Sequence, residues 1–223
     1  MEKERLITVK GIGALTVPVD FIEITLILDE MNKDYKKGYD NFEKHLVDLQ
    51  NIIESCSFNK EDLKTSELKV YPKNDQVKKG GRYVEVLVGY EFYSEMIVRF
   101  DFDSNKLSQI LASVAQSKPS PRIKVEFTVK DKEAVKKSLL AASAKDAKEK
   151  AEILCQAMNV KLGKLQTIKY NWDELKIYSS TRYSMDDDML VCAAPDMGYT
   201  GFNFTPDDIR VDDDASFIWE IMD

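Results

Sequence analysis

Apolar and polar positions alternate or recur along most of the chain, and their periods predict its elements. Residues 6–12 alternate as a strand, and Gly11 and Gly13 then allow a bend. Residues 21–28 predict a second strand whose Ile22, Ile24, Leu26 and Leu28 form a wholly apolar face directed at a core. The period then changes. Tyr35, Tyr39, Phe42, Leu46, Leu49 and Ile53 recur at steps of four and three, the stripe of an amphipathic helix over residues 33–56. Lys36, Lys37, Asp40, Glu43, Lys44 and Asp48 occupy its other face. His45 flanks the stripe as a partly exposed helix residue, and nothing beside it in sequence supplies a nucleophile or an orienting group.

Residues 64–71 read as a strand ending at Pro72, and residues 73–82 as a polar connection with Gly80-Gly81 as its turn. Residues 83–100 are rich in Val, Tyr and Phe. They predict one long bent strand or two collinear ones, with Gly89 at the kink. Asp103 or Ser104 can cap a short helix carrying Leu107, Ile110, Leu111 and Val114. A strand is expected over residues 123–129. A long helix follows over 131–158, with Leu140, Ala144, Ala147, Ala151, Leu154 and Met158 as its stripe. Its alanines permit close approach to a neighbour and favour the helix itself. Asp146–Lys150 and Lys148–Glu152 stand at helical spacing on its outer faces.

Gly163 suits the turn after that helix. Residues 165–178 resume a strand pattern that Asn171-Trp172-Asp173-Glu174 interrupts. Residues 179–206 are the least regular and predict an exposed excursion, and residues 208–221 return to strand alternation. Three helices and seven or eight strands with mixed connections place the chain in the α+β class. A mixed or antiparallel sheet packs against about three helices. Residues 1–223 are expected to form a single unit, with room for two sub-lobes.

Composition narrows the chemistry. The 223 residues carry 39 acidic and 32 basic side chains, a net charge of −7. That balance argues against nucleic acid as the main partner, which needs clustered Lys and Arg. A single histidine excludes sites built on two or more imidazoles. Cys56, Cys155 and Cys192 are odd in number and lack CxxC spacing, so neither a disulfide framework nor a zinc site is expected. Cys56 and Cys155 fall near predicted helix ends and read as buried small hydrophobes. The charged start runs straight into a strand without a leader-like apolar stretch, and no apolar run is long enough to span a bilayer. A cytoplasmic location is expected for the chain as it stands, and a periplasmic or secreted one if a leader has been removed.

Candidate chemistry is sparse. Gly11-Ile12-Gly13 lacks the third glycine of a dinucleotide loop, since position 16 is Thr16, and a strand follows instead of a helix. The runs Asp186-Asp187-Asp188 and Asp212-Asp213-Asp214 do not follow an EF-hand pattern, although alternation turns at least one of the second run toward a partner or a pocket. Asp146 lacks the second acid or base that a mechanism needs. It is expected to pair with Lys150 or to accept from a backbone amide. The aromatics Tyr83, Tyr90, Phe92, Tyr93, Phe100 and Phe102 would need a basic groove to serve as a base-stacking platform, so they read as packing residues. Phe217 and Trp219 share one face of a terminal strand. They are placed either on the core or at a subunit contact, and are the candidate interface residues.

Four ordered features resemble the SIMPL domain, the YggE-like group that includes periplasmic immunogenic proteins. They are Gly11-x-Gly13 with Pro18 and Asp20 before a strand; Gly89-Tyr90 opening a long strand that leads to a helix with Leu107; the helix Ala144-x-Asp146-Ala147-x-x-Lys150-Ala151 with Ala157 and Leu162-Gly163 beyond; and Thr205-Pro206-x-x-Ile209-x-Val211 before an alternating last strand. The resemblance implies an α+β fold in which the C-terminal strand returns to the N-terminal region. It also implies homo-oligomers, some of them large rings, together with protein–protein interaction and a link to oxidative-stress tolerance. It brings no catalytic residues and no cofactor. The expected function is therefore non-enzymatic self-assembly and protein interaction, in a homo-oligomer with a further protein partner, without nucleic acid or a membrane span. The alternative is a small-molecule or ion-binding protein with a pocket between helix and sheet or between subunits.

Overall fold

The computed structural model describes residues 5–171, 174–185 and 204–223. Their order is β1 (Leu6–Val17), β2 (Phe21–Asn32), α1 (Tyr35–Ser55), β3 (Lys64–Lys79), β4 (Arg82–Asp101), α2 (Ser104–Ala115), β5 (Arg122–Thr128), α3 (Lys132–Ala157), β6 (Lys161–Tyr170), β7 (Tyr178–Met185) and β8 (Ile209–Met222). The strands form a three-stranded sheet, β1-β8-β6, and a five-stranded sheet, β3-β4-β2-β5-β7. This is an α+β architecture. The described residues of Met1–Val19, Thr128–Ser180 and Asp207–Asp223 form one compact unit, and those of Asp20–Phe127 and Thr181–Pro206 form the other.

In the first unit the terminal strands are neighbours. β1 and β8 run antiparallel from Leu6↔Glu220 to Val17↔Ile209, and β6 pairs with the other edge of β8. Odd-numbered residues of β8 face inward, where Ala215, Phe217 and Trp219 join Val9, Ala147 and Ala151 in one cluster. A second cluster joins Ile209 and Val211 to Val129, Val135, Leu139 and Ile177.

The bend expected at Gly11 and Gly13 does not occur, and β1 runs straight through both. The glycines instead bare the strand for α3: a Cβ on Gly13 would lie 2.1 Å from the Leu139 carbonyl oxygen. This approach sets the rotation of α3, whose buried residues are Val135, Leu139, Ser143, Ala147, Ala151 and Cys155. Only Ala147 and Ala151 belong to the stripe read from the sequence. Ala144 is exposed, and Leu154 and Met158 are largely solvated, Met158 at 74%.

Asp131 caps the start of α3 by accepting from the Ala134 amide. Its end is closed by Asn159 at φ 54, with Asn159 N donating to Gln156 O and Val160 N to Cys155 O, a Schellman arrangement. Gly163 is therefore not the turn. It lies in β6, where a Cβ would meet Glu220 Cβ at 2.8 Å.

In the second unit α1 lies on β2 and β4 and packs against α2. Ile22, Ile24, Leu26 and Leu28 are buried, as the alternation of β2 requires, with Phe92, Met96 and Val98 from β4. From the helices come Phe42, Leu49 and Ile53, and Leu107, Ile110, Leu111 and Val114. Asp103 caps α2, accepting from the Asn105 and Lys106 amides.

β3 does not stop at Pro72. It continues to Lys79, because an edge strand tolerates a residue without an N–H. Gly80 and Gly81, at φ 58 and 84, make the two-residue hairpin turn to β4. β4 is one strand of 20 residues, and its register against β3 slips beside Gly89, where Lys73 pairs with Gly89 and Asn74 with Leu87. The excursion expected over 179–206 begins as strand β7, and residues 186–203 lie outside the described residues.

Candidate interaction surface

The sequence-derived candidates fall into ordinary structural roles. Phe217 and Trp219 stack with ring centroids 5.6 Å apart and are 5% and 7% exposed, packed in their own unit's core under α3. Asp146 takes both of its expected partners: its Oδ2 accepts from Ile12 N at 2.8 Å and from Lys150 Nζ at 2.6 Å. These donors, Lys150 first, hold its carboxyl below the usual carboxylate value. The carboxylate thus ties the α3 surface to an amide of edge strand β1.

In the second acidic run, Asp213 accepts from the Tyr170 hydroxyl at 2.6 Å, and Asp214 pairs with Lys10 at 3.0 Å. The Asp213 hydrogen bond, then burial, push the Tyr170 phenol up to about 12. An open depression of about 830 Å³ lies beside this pair, lined by Ile168, Lys169, Tyr170, Asn171, Asp214 and Ser216. Asp186-Asp187-Asp188 and Cys192 lie outside the described residues. Cys56 and Cys155 are buried free thiols, Cys56 within 3.6 Å of the Ser113 hydroxyl.

His45 has a partner that its sequence neighbourhood did not show. Its Nδ1 contacts the Glu30 carboxylate, fifteen residues earlier on β2. Among the described residues, no group of three or more His, Cys, Asp or Glu is placed to hold a metal ion, and no helix is long and apolar enough to cross a membrane.

What stands out is the hairpin arm formed by the turn-proximal ends of β3 and β4, of which residues 73–82 read in sequence as a polar connection. β2 pairs with β4 only as far as Asn32↔Tyr90. Toward the turn, β3 is the one strand neighbour of β4 among the described residues, and six residue pairs run from Asn74↔Leu87 to Lys79↔Arg82. This two-stranded arm is about 20 Å long at ~3.3 Å per residue. Val77, Val84 and Leu87 on it are 40–50% exposed, and Tyr83 is 69% exposed. A lone two-stranded ribbon is marginally stable in water, and among the described residues no further strand pairs with either of its edges. The signal for its β3 half was Val77, which stands opposite Val84 across Gly80-Gly81. In the first unit, edge strand β6 likewise leaves Leu165 and Ile168 exposed.

A family model described as SIMPL, protein of unknown function (DUF541), matches residues 7–217, nearly the whole chain. No curated protein matches the sequence.

Proposed function

Because the chain belongs to the SIMPL family, we propose that it is a non-enzymatic protein that acts by self-assembly and protein–protein interaction. The observation that carries this reading is the β3–β4 arm, where Val77, Val84, Leu87 and Tyr83 stay 40–69% exposed among the described residues. Burying such side chains against a partner is favourable by roughly 25 cal/mol per Å². Two acidic candidates have structural partners that agree with this reading: Asp146 ties α3 to β1, and Asp213 accepts from Tyr170. A role under oxidative stress belongs to the same reading and rests on the family resemblance alone.

A second reading, a small-molecule binder, is favoured by the depression beside Tyr170 and Asp214. Light scattering on the full chain, combined with a thermal-shift screen of metabolites and metals, separates the two. A defined multi-chain mass without a saturable shift supports assembly. A one-chain mass with a saturable shift from one compound overturns it.

A further inference from the structure

We infer that the Asp146–Lys150 pair of α3 guards the open edge of β1, filling backbone positions through which a further strand would add there. This goes beyond the assembly reading and does not rest on it: it marks a length of sheet edge at which copies are kept from joining.

β1 is the outer strand of the three-stranded sheet, and among the described residues no strand pairs with its far edge. It pairs with β8 from Leu6↔Glu220 to Val17↔Ile209 without a slip in register. One step before Leu6, Ile221 N donates to Arg5 O, which makes Arg5 and Ile221 a hydrogen-bonded pair. Such pairs alternate along an antiparallel ladder. The odd-numbered residues of β1 therefore direct N–H and C=O at β8. The even-numbered ones, Lys10 and Ile12 among them, direct theirs at the open edge.

Two of these outward groups are taken by side chains. Ile12 N donates to Asp146 Oδ2 at 2.8 Å. Lys150 Nζ donates to Lys10 O at the longer distance of 3.4 Å and to the same Oδ2 at 2.6 Å. An acceptor on Ile12 N and a donor on Lys10 O are what one residue of an added parallel strand, opposite Gly11, would supply. An antiparallel strand would supply them from two residues. The ion pair thus occupies the place of a strand neighbour, and its charges offer no ladder to extend, which is how open edges are kept from pairing. Glycine puts it there. Gly11 and Gly13 bring the β1 backbone against the Ser143 and Leu139 carbonyl oxygens. Asp146, three residues beyond Ser143, is then close enough for a short side chain to reach the strand's amide.

The test is sedimentation of the full chain at matched concentrations, with circular dichroism as the check on folding. Wild type is compared with Asp146→Ala, Lys150→Ala, Asp146→Asn, Glu152→Ala and the double variant Asp146→Ala/Ile12→Pro. Asp146→Asn keeps an oxygen for the Ile12 amide. Glu152→Ala removes a carboxylate of the same helix that pairs with Lys148 and leaves β1 untouched. Ile12→Pro removes the outward N–H without breaking a bond to β8. The expected result is a weight-average mass above that of wild type in Asp146→Ala and a smaller excess in Lys150→Ala. Asp146→Asn, Glu152→Ala and the double variant should match wild type. In dilute samples, exchange of the Ile12 amide should quicken about tenfold or more in Asp146→Ala, from the loss of a hydrogen bond to a charged group.

Wild-type mass in both alanine variants overturns the guard, and if Asp146→Ala does not fold, Lys150→Ala decides alone. An equal excess in Glu152→Ala overturns it by assigning the effect to net charge. An excess that survives Ile12→Pro overturns it by placing the contact elsewhere. An excess in Asp146→Asn equal to that in Asp146→Ala, or unchanged exchange at Ile12, overturns the hydrogen bond as its cause. The mass of wild type itself bears on the assembly reading alone.

Discussion

A Cβ placed on Gly11 would stand 1.9 Å from the backbone oxygen of Ser143. Strand and helix backbones touch at that point, and nothing larger than hydrogen fits between them. Gly11→Ala therefore forces α3 off β1 and is expected to cost about 3 kcal/mol, at the upper end of overpacking effects. Gly80→Ala is the control: no atom lies within 4 Å of its Cβ, and the cost, from its φ of +58, is about 1 kcal/mol. Chemical denaturation of both variants checks the pair, and equal losses would contradict the close approach.

The rotation of α3 makes a second contrast. Ala147 is fully buried, whereas Ala144, three residues earlier, is exposed. Ala147→Leu is expected to lose about 3 kcal/mol from overpacking. Ala144→Leu should change stability by about 0.5 kcal/mol or less. Thermal unfolding decides between this face and the one that the alanine spacing suggested.

Asp146 gives stability a pH dependence at the acid end. Its folded carboxyl is held below its ordinary value of 3.8 by Lys150 and by the Ile12 amide. A depressed carboxyl contributes stability that is fully present above the unfolded value and lost as pH falls through the folded one. The stability difference between wild type and Asp146→Asn should hold from neutrality down to about pH 4 and shrink below it. Urea titrations at several pH values read this directly. A difference that grows on acidification would contradict the assignment.

Tyr170 gives the opposite dependence at the alkaline end. Its phenol is raised to about 12 by donation to Asp213. A raised group contributes stability that is complete below its unfolded value and lost as pH rises through the folded one, here between the ordinary phenol value of 10.0 and about 12. In ultraviolet titration, Tyr170→Phe should remove one late-titrating phenol and Asp213→Asn should bring it back toward 10.0. Tyr71 and Tyr93 are raised as well and remain in the variant, so it is an unchanged number of late phenols in Tyr170→Phe that would contradict the assignment.

Much of the fold was legible where one period dominated. β2 and α2 each bury one regular stripe, and α1 buries its own from Phe42 to Ile53 while Tyr35 and Tyr39 at its start stay half exposed. Of Asp103 and Ser104, Asp103 is the cap of α2. β8 was equally plain, because each inward residue from Ile209 to Trp219, except Asp213, is buried. α3 was misread because apolar residues surround it: Leu139 and Leu140 are adjacent, as are Ile153 and Leu154. Its buried face is chosen by glycines more than a hundred residues away. Gly11 and Gly13 read as a bend and Gly163 as a turn because sequence shows a missing side chain and not the backbone that fills its place. Pro72 reads as a strand end because edge position is a property of the sheet. The β3 half of the arm was hidden for a related reason: residues 74–78 stay exposed and need no apolar stripe. His45 and Glu30 meet only through the packing of α1 on β2.

Self-association of the intact wild-type chain is the property on which the functional reading stands. Its mass in solution, followed by sedimentation from dilute to concentrated samples, reads that property without labels or variants. A weight-average mass that climbs with concentration past that of one chain is the expected result. A mass that stays at one chain throughout would contradict it.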